Sequence, residues 1–222
     1  MRPRSISVVT AAVAIAQLGL AVAVAARGLP GAIPVHFDIS GEANGWADRS
    51  QVALLLAGIA LGMPGVIAAM RGRWARSAAT EERQGIDFAV VGLLAVSCLL
   101  VGLLASLAFG WGTVHGGRSQ AGPTALWLIM TVLGAILGKI PPNLAVGVRT
   151  PWSRASRLAW DKSNRLAGRL FFWGGLAGLA CTPFLPLPVA MRLSLCVVLI
   201  FAGLAVLESW RVWRRDPDRR PI

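Results

Sequence analysis

Six long apolar blocks, separated by polar or basic segments, dominate the pattern of the chain. They cover residues 6–26, 52–70, 88–111, 124–140, 170–187 and 189–210, with approximate ends. A helix that crosses the hydrocarbon core of a bilayer needs about 20 mostly apolar residues, whereas shorter runs are typical of buried strands or core helices. The pattern therefore predicts an all-α, polytopic membrane protein, a bundle of about six transmembrane helices.

The first block has features of both a membrane helix and a signal peptide. Arg2 and Arg4 precede it, and Ala21-Val22-Ala23 resembles a signal-peptidase site. The block is longer than the apolar region of roughly 7–15 residues that signal peptides carry, which favours an uncleaved helix. Either outcome places the following outer loop, residues 27–50, outside the membrane.

The basic residues are divided unevenly between the two sides of this bundle. Of the 22 Lys and Arg residues, eighteen fall at the N-terminus and in segments 71–83, 139–169 and 211–220. The other side holds Arg27, Arg49, Arg118 and Arg192. Cytoplasmic loops carry the excess of basic residues, so this division predicts that both ends of the chain are inside.

Composition supports a membrane location and changes the interpretation of the charge. Hydrophobic residues make up 55% of the chain and charged residues 14%, against about a quarter charged in soluble domains. The net charge is +12. Because the basic residues lie between apolar blocks, anionic lipids of the inner leaflet are the expected partner, with no direct contact to nucleic acid.

Residues suited to catalysis or coupled transport are sparse. The middle of each block has no charged residue, whereas ion-coupled transporters keep ionisable groups there for function. The two histidines, His36 and His115, both fall on the outer side, so acid–base chemistry at a shared site has a place only there. We expect no catalytic residues, no cofactor and no enzyme activity.

The outer loop combines turn-forming glycines with a compact set of polar and aromatic residues. Its candidate site residues are Pro34, His36, Phe37, Asp38, Gly41, Trp46 and Asp48. His36, Asp38, Glu42 and Asp48 are residue types that bind metals, but their spacing does not match an EF-hand. We favour a folded cap with Phe37 and Trp46 at the membrane interface, and we predict that no metal is bound.

The inner loop, residues 141–169, is strongly basic. Thr150 followed by Pro151 is a typical helix start, since Thr supplies a capping oxygen and Pro suits the first turn. At helical spacing one face would carry Trp152, Ala155, Ala159 and Leu166, and the opposite face Arg154, Arg157, Asp161 and Arg165. This pattern predicts a basic amphipathic helix along the inner leaflet, with a docking surface for a cytoplasmic protein as the alternative.

Three glycine pairs have the G-x-x-x-G spacing at which helix backbones approach closely. They are Gly58/Gly62, Gly134/Gly138 and Gly174/Gly178. Such pairs are frequent by chance in glycine-rich helices. A homodimer through a glycine-lined face is compatible with any of the functions considered below.

The two loops together resemble the SdpI family of bacterial membrane proteins. The outer motif is Pro34-x-His36-Phe37-x-x-x-Gly41 with Trp46 and Asp48, similar to a small uncharacterised domain in the N-terminal half of that family. The inner motif, similar to the C-terminal SdpI signature, comprises Pro142, Asn143, Gly147, Arg149, Thr150, Pro151, Trp152, Trp160, Lys162, Asn164, Arg165 and Gly168. One departure is Asn44, where an aspartate is expected in many members. The resemblance divides the chain into residues 1–86, with the outer loop, and residues 87–222, a four-helix region with the inner loop.

The resemblance implies a function as well as a fold. The family's named member is an immunity protein that protects a cell against a secreted peptide toxin and also holds a small repressor at the membrane. We therefore expect a non-enzymatic, multi-pass immunity and signal-transduction protein of the cell membrane, with a toxin partner outside and a repressor inside. The alternative functions are a small-solute transporter or channel and, less favoured, a membrane enzyme working at the outer loop.

Overall fold

A computed structural model describes residues 3–74, 80–111, 114–115, 118–143 and 146–222. The helices are α1 (Pro3–Arg27), α2 (Arg49–Trp74), α3 (Thr80–Ala108), α4 (Ala121–Leu137), α5 (Pro151–Ala155), α6 (Arg157–Cys181) and α7 (Leu187–Arg215). A 3-10 turn, Thr182–Phe184, joins α6 to α7. The strands are β1 (Ile33–Phe37), β2 (Ala43–Ala47), β3 (Val114–His115) and β4 (Arg118–Ser119). Arg2 and Arg76, two of the basic residues assigned to the inner side, lie outside the described residues.

Each of the six apolar blocks lies mainly in one long helix. Within the described ranges, four spans are long and apolar enough to cross a membrane: Ser5–Arg27, Arg49–Gly72, Arg83–Ala108 and Leu187–Arg215. The fourth block forms the shorter apolar helix α4, and the fifth forms the second half of α6. The all-α, polytopic membrane architecture is confirmed. Six crossings with both ends inside stay predictions.

The helix ends depart from the block ends where local backbone chemistry intervenes. The third block extends to Trp111, but α3 ends at Ala108. Gly110 adopts a φ of +72°, its N–H donates to the Leu107 carbonyl, and the Trp111 N–H donates to the Ser106 carbonyl. This is the Schellman pattern of helix termination, in which a glycine takes the left-handed conformation.

Two small β-hairpins interrupt the helices, and the hydrophobic pattern did not predict them. In the outer loop β1 and β2 pair antiparallel, with Ile33 opposite Ala47 and Phe37 opposite Ala43. The register shifts on both sides of His36, which marks a bulge. Strands of five residues carry too few apolar positions for their alternation to stand out between long helices.

Helices α1, α2 and α3 pack together through two apolar clusters at opposite ends. One contains Val24, Ile33, Val52, Leu56 and Ala108 and receives Phe37 from the hairpin. The other contains Ile6, Ile67, Ile86, Val90 and Leu94. The first cluster therefore lies at the outer-loop end and the second at the opposite end, as expected for three antiparallel helices.

A buried polar contact joins α1 to α3 between these clusters. The Gln17 side-chain amide donates a 3.1 Å hydrogen bond to the Ser97 hydroxyl, which donates to the Leu94 carbonyl at 2.8 Å. Both side chains are buried. Polar groups inside a membrane bundle need such partners, so this pair accounts for two of the uncharged polar residues in the apolar blocks.

Two of the three glycine pairs are contact points within the chain. Gly134 packs against the backbone of Phe171 and Phe172, and Gly174 and Gly178 pack against Phe201 and Trp127. Among the described residues, no atom lies within 4 Å of a Cβ added at Gly58 or Gly62. The small residues thus let α4, α6 and α7 approach closely, whereas the α2 pair faces open space.

Helix α3 connects the two halves of the bundle. It contacts α1 and α2 on one side and α4 on the other. The expected boundary between residues 86 and 87 lies inside this helix. The division into residues 1–86 and 87–222 stays a prediction.

Candidate functional site

Asp38 organises the turn of the outer hairpin. One carboxylate oxygen accepts hydrogen bonds from the Ser40 N–H at 2.8 Å, the Ser40 hydroxyl at 2.6 Å and the Glu42 N–H at 3.0 Å. The Ser40 hydroxyl, followed by the Glu42 N–H, holds the pKa of Asp38 below its usual value, because these bonds favour the charged carboxylate. Asp38 is therefore a turn-forming residue.

Asp48 anchors the other end of the outer loop to α2. The Gln51 N–H donates to the Asp48 carboxylate at 2.8 Å, and the Asp48 N–H donates to the Gln51 side-chain oxygen at 2.9 Å. This reciprocal arrangement is a capping box, which satisfies two backbone donors at a helix start. Asp48 thus fixes the direction in which the hairpin leaves the membrane helix.

His36 lies on the exposed side of the hairpin. Its Nδ1 is 2.5 Å from the Asn44 side-chain oxygen on the facing strand. Gly45 lets the facing strand pass close to His36, since a Cβ there would lie 2.8 Å from the His36 Cβ. Asn44, where an aspartate was expected, therefore serves as the partner of His36.

Of the remaining candidate residues of the outer loop, three pack against the protein and one, Trp46, is exposed. Pro34 and Gly41 are buried, Phe37 is half-buried in the apolar cluster, and Gly41 packs against Leu187 at the start of α7. Trp46 is 51% exposed. The expected cap is present, but Trp46 stands out from it.

The hairpin does not bring its possible metal ligands to one point. Asp38 and Asp48 bind separate backbone groups, and His36 contacts Asn44. Over the described part of the chain, no group of three or more His, Cys, Asp or Glu side chains converges as a metal site would require.

The inner loop differs from the predicted amphipathic helix, and that part of the prediction was wrong. The helix that starts at Thr150 and Pro151 is confirmed, with the Thr150 hydroxyl accepting from the Ser153 N–H at 3.1 Å, but it ends at Ala155. Ser156 is extended and caps a new helix, α6, by accepting from the Ala159 N–H. That helix continues without interruption into the fifth apolar block, so residues 157–169 are its first turns.

These first turns are covered by protein along one side. The buried residues there are Ala159, Trp160, Ser163, Asn164, Ala167 and Gly168. Of these buried residues, only Ala159 belongs to the apolar face that the sequence predicted. The prediction treated residues 150–169 as one helix, but the helix breaks at Ser156, so the positions before and after the break do not share one helical spacing. Arg154, Arg157, Lys162 and Arg165 are exposed.

Trp160 fills the space between the end of α4 and the start of α6. It is 1% exposed, and its indole N–H donates to the Ile140 carbonyl at 3.0 Å. Leu137, Ile140 and Ala167 belong to the same apolar cluster. A large aromatic residue with a satisfied N–H is typical of a core position.

Asn164 and Gly147 hold the loop against α6. The Asn164 side-chain oxygen accepts from the Val148 N–H at 2.8 Å, and its amide donates to the Trp160 carbonyl at 3.0 Å. Gly147 adopts a φ of +129°. A Cβ there would lie 2.8 Å from the Asn164 oxygen and 3.0 Å from the Trp160 ring, so glycine is required for both conformation and space.

Asn143 closes the preceding turn. Its amide donates to the carbonyls of Pro141 and Val146, and its oxygen accepts from the Val146 N–H at 2.8 Å. Asn143 is buried beside Gly85 of α3, where a Cβ would lie 2.9 Å from the Asn143 Cβ. Pro142 beside it is half-buried.

The C-terminal end of the chain completes the inner site. The Thr150 and Ser209 hydroxyls are 2.8 Å apart, the Ser156 hydroxyl donates to the Asp216 carboxylate, and the Arg220 N–H donates to the Ala155 carbonyl at 2.8 Å. Ser156 and Asp216 are both buried. The sequence analysis missed this contribution, for which the only local signal was a serine before a helical segment.

Gly168 of the inner signature is closely packed, whereas Arg149 is exposed. A Cβ on Gly168 would lie 2.8 Å from the Gly138 backbone nitrogen, so this residue sets the closeness of α4 and α6. Arg149 is exposed and has no hydrogen-bond or ion-pair partner among the described residues. Pro151 is also exposed and Trp152 is half-buried. Most of the inner signature builds the fold, and Arg149 is left available.

Comparison with known proteins matches the same two regions. Residues 139–209 match the family model described as the SdpI/YfhL protein family. Residues 12–61, which hold most of α1, the outer hairpin and the start of α2, match a domain of unknown function designated DUF1648. No curated protein and no solved structure matches the chain. With its apolar helices and both matched regions in place, the chain is a membrane protein whose residues 139–209 belong to the SdpI/YfhL family.

Proposed function

We propose that this chain is a non-enzymatic immunity and receptor protein of the bacterial cell membrane. In this proposal the outer hairpin meets a secreted peptide toxin, and the inner loop holds a small cytoplasmic repressor. The observation that carries the proposal is the exposure of Arg149 beside Asn143, Gly147, Thr150 and Asn164, residues of the same signature whose contacts build the fold. Such a contrast is typical of a binding residue supported by a rigid scaffold.

The outer hairpin has the properties of a small, rigid recognition element. Its turn is fixed by Asp38, its base by the capping box of Asp48, and its side by the packing of Gly41 on Leu187. Trp46 and His36 remain exposed on it. Tryptophan is among the residues that contribute most to binding energy at interfaces, so Trp46 is the proposed toxin contact.

The inner site offers a guanidinium in a fixed position. Gly147 is held against Trp160 and Asn164, and Thr150 begins α5, so the backbone on both sides of Arg149 is ordered. A planar guanidinium can bind a carboxylate through two parallel hydrogen bonds. We propose that Arg149 pairs with an acidic side chain of the repressor.

The apolar pocket between α2, α3 and α4 does not favour a transporter or channel. Its volume is about 480 Å³, and its walls are side chains such as Met70, Phe88, Leu133 and Ile136. An ion entering it would lose its hydration without gaining polar partners.

The proposal is tested first by deleting the gene and challenging the source bacterium with its own spent culture medium. We expect the deletion to lower survival and the wild-type chain to restore it. Survival that does not change on deletion would refute the immunity function.

Variants then separate the two surfaces. Trp46→Ala should lower survival at unchanged membrane abundance, with Trp111→Ala, another exposed tryptophan, as the control. Arg149→Gln should release a fluorescently tagged repressor from the membrane, with the exposed Arg215→Gln as the control. If abundance falls in step with every defect, both loops serve only to hold the bundle together.

A further inference from the structure

A groove with a strongly basic entrance lies between α4 and α6. Its volume is about 440 Å³, and its lining includes the basic residues Lys139, Lys162, Arg165 and Arg169. No acidic residue lines it within the part of the chain that the structure describes. It opens at the end of the bundle where the positive-inside rule places the cytoplasmic side.

None of the four cations forms an ion pair with a described residue. The side chains of Lys139, Lys162 and Arg165 make no hydrogen bond or ion pair in the described parts of the chain. The Arg169 side chain donates a 3.4 Å hydrogen bond to the Arg165 carbonyl, which leaves its charge in place. Asp161 on the same helix lies 3.9 Å from Arg157. Several like charges around one concave surface attract an anion, because their potentials add where water is partly excluded.

The groove continues from this charged entrance into an apolar stretch. Phe172 and Trp173 lie one turn beyond Arg169 and line the same groove, and Trp173 is 64% exposed. The close approach of α4 and α6 at Gly134 and Gly168 leaves no side chain to fill the floor. Basic residues followed by tryptophan along a helix are typical of the region where head groups meet acyl chains.

We propose that this groove binds one anionic phospholipid of the inner leaflet. Its phosphate lies among Lys139, Lys162, Arg165 and Arg169, and the start of an acyl chain lies along Phe172 and Trp173. A free phosphate ion would contact only the basic residues, whereas a phospholipid would contact both the basic entrance and the apolar stretch of the groove. The bound lipid would hold α4 against the exposed side of α6, next to the inner signature.

The test uses the purified full-length chain in nanodiscs that contain phosphatidylcholine with a minor share of phosphatidylglycerol. Native mass spectrometry counts the lipids that remain bound when the nanodisc is released. We expect the wild type to retain about one phosphatidylglycerol in preference to phosphatidylcholine. Lys162→Gln/Arg165→Gln should lower this retention roughly tenfold, since each basic residue near an anionic head group contributes to its attraction.

The matched control is Arg154→Gln/Arg215→Gln, which removes the same charge from exposed positions outside the groove. An equal loss of lipid in both double variants would overturn the proposal in favour of a diffuse attraction by the basic surface. Retention of phosphatidylcholine as strongly as phosphatidylglycerol in the wild type would also overturn it.

A charge-neutral variant tests the position of the acyl chain. Ala135 is exposed and lines the groove, so Ala135→Phe fills it without changing charge. We expect this variant to lose the retained phosphatidylglycerol while its helical circular dichroism stays unchanged. Unchanged retention, or complete displacement of the lipid by millimolar inorganic phosphate, would show that the acyl part of the groove is not used.

Discussion

The indole N–H of Trp160 donates a hydrogen bond to the carbonyl oxygen of Ile140, 3.0 Å away. This contact joins the first turns of α6 to the segment that follows α4. Trp160 is buried, whereas Arg149, from the same signature, is exposed and unpartnered in the described structure. The Arg149 side chain is therefore accessible to direct contact with a partner protein, whereas Trp160 can affect such a partner only by supporting the fold.

Replacing Trp160 should reduce stability rather than recruitment alone. Trp160→Ala leaves a large cavity and an unpaired Ile140 carbonyl, which costs about 3–5 kcal/mol. Trp160→Phe keeps most of the ring volume and loses the hydrogen bond, at about 1 kcal/mol. Thermal unfolding in detergent, followed by circular dichroism, should rank wild type above Phe and Phe above Ala. Equal unfolding temperatures would show that the ring does not support the inner site.

Gly147 should not tolerate a side chain. Gly147→Ala forces an L-residue to a φ of +129° and brings its Cβ to 2.8 Å from the Asn164 oxygen, at a cost of about 1–3 kcal/mol. Gly58→Ala, in a helix with open space around it, is the control and should leave unfolding unchanged or slightly raise its midpoint. The comparison fails if both variants behave alike in the same unfolding assay.

A branched residue at Gly168 should separate α4 from α6. Gly168→Val places atoms against the Gly138 backbone, where a Cβ alone would already lie 2.8 Å from its nitrogen. Overpacking of this kind costs about 1–3 kcal/mol or more. Crosslinking between cysteines introduced at Ala135 and Phe172, in a chain without its native cysteines, should fall in this variant. Undiminished crosslinking would contradict the close approach.

The open pair Gly58 and Gly62 provides the test of the expected homodimer. A Cβ added at Gly62 would have no atom of the described residues within 4 Å, so the unfolding temperature of Gly62→Val should stay near that of the wild type. If the dimer forms through this face, the variant should shift the chain toward the monomer in light scattering after size-exclusion chromatography. A dimer that withstands the change must use another surface.

The outer hairpin should loosen in acid. The pKa of the Asp38 carboxyl in the folded chain lies below its ordinary value of 3.8. The hydrogen bonds of the Asp38 carboxylate therefore stabilise the folded hairpin at pH values above 3.8, and this stabilisation is lost as the pH falls through the lower pKa of the folded chain. The exchange rate of the Ser40 and Glu42 amide protons, divided by the intrinsic rate of an unstructured chain at the same pH, should rise over that interval. In Asp38→Asn, which keeps an accepting oxygen but does not titrate there, the pH dependence should disappear. A wild-type chain with no rise would exclude this role of Asp38.

Topology is tested by cysteine labelling from outside intact cells. With the three native cysteines replaced by alanine, a cysteine at Ile39 in the exposed hairpin turn should react with a membrane-impermeant maleimide. A cysteine at Arg154, exposed beside α6, should react only after the cells are opened. Labelling of both positions from outside would contradict the predicted placement of the inner loop.

Much of the fold and of the site can be predicted from the sequence because the relevant signals are local. Runs of apolar residues locate the long helices, and Thr150 followed by Pro151 locates the start of α5. The two signatures locate both candidate surfaces. Strands of five residues were missed, since a short alternation in a hairpin carries little hydrophobic signal.

What the tertiary structure alone decides depends on residues that are distant in sequence. Ser156 caps α6 and binds Asp216, 60 positions away, and this contact separates α5 from the continuous helix α6. Nothing in the local pattern distinguishes Gly134, packed against α6, from Gly62, which faces open space. Likewise, only packing buries Trp160 and leaves Arg149 exposed, because burial is set by which helices meet and not by the composition of the segment that carries both residues.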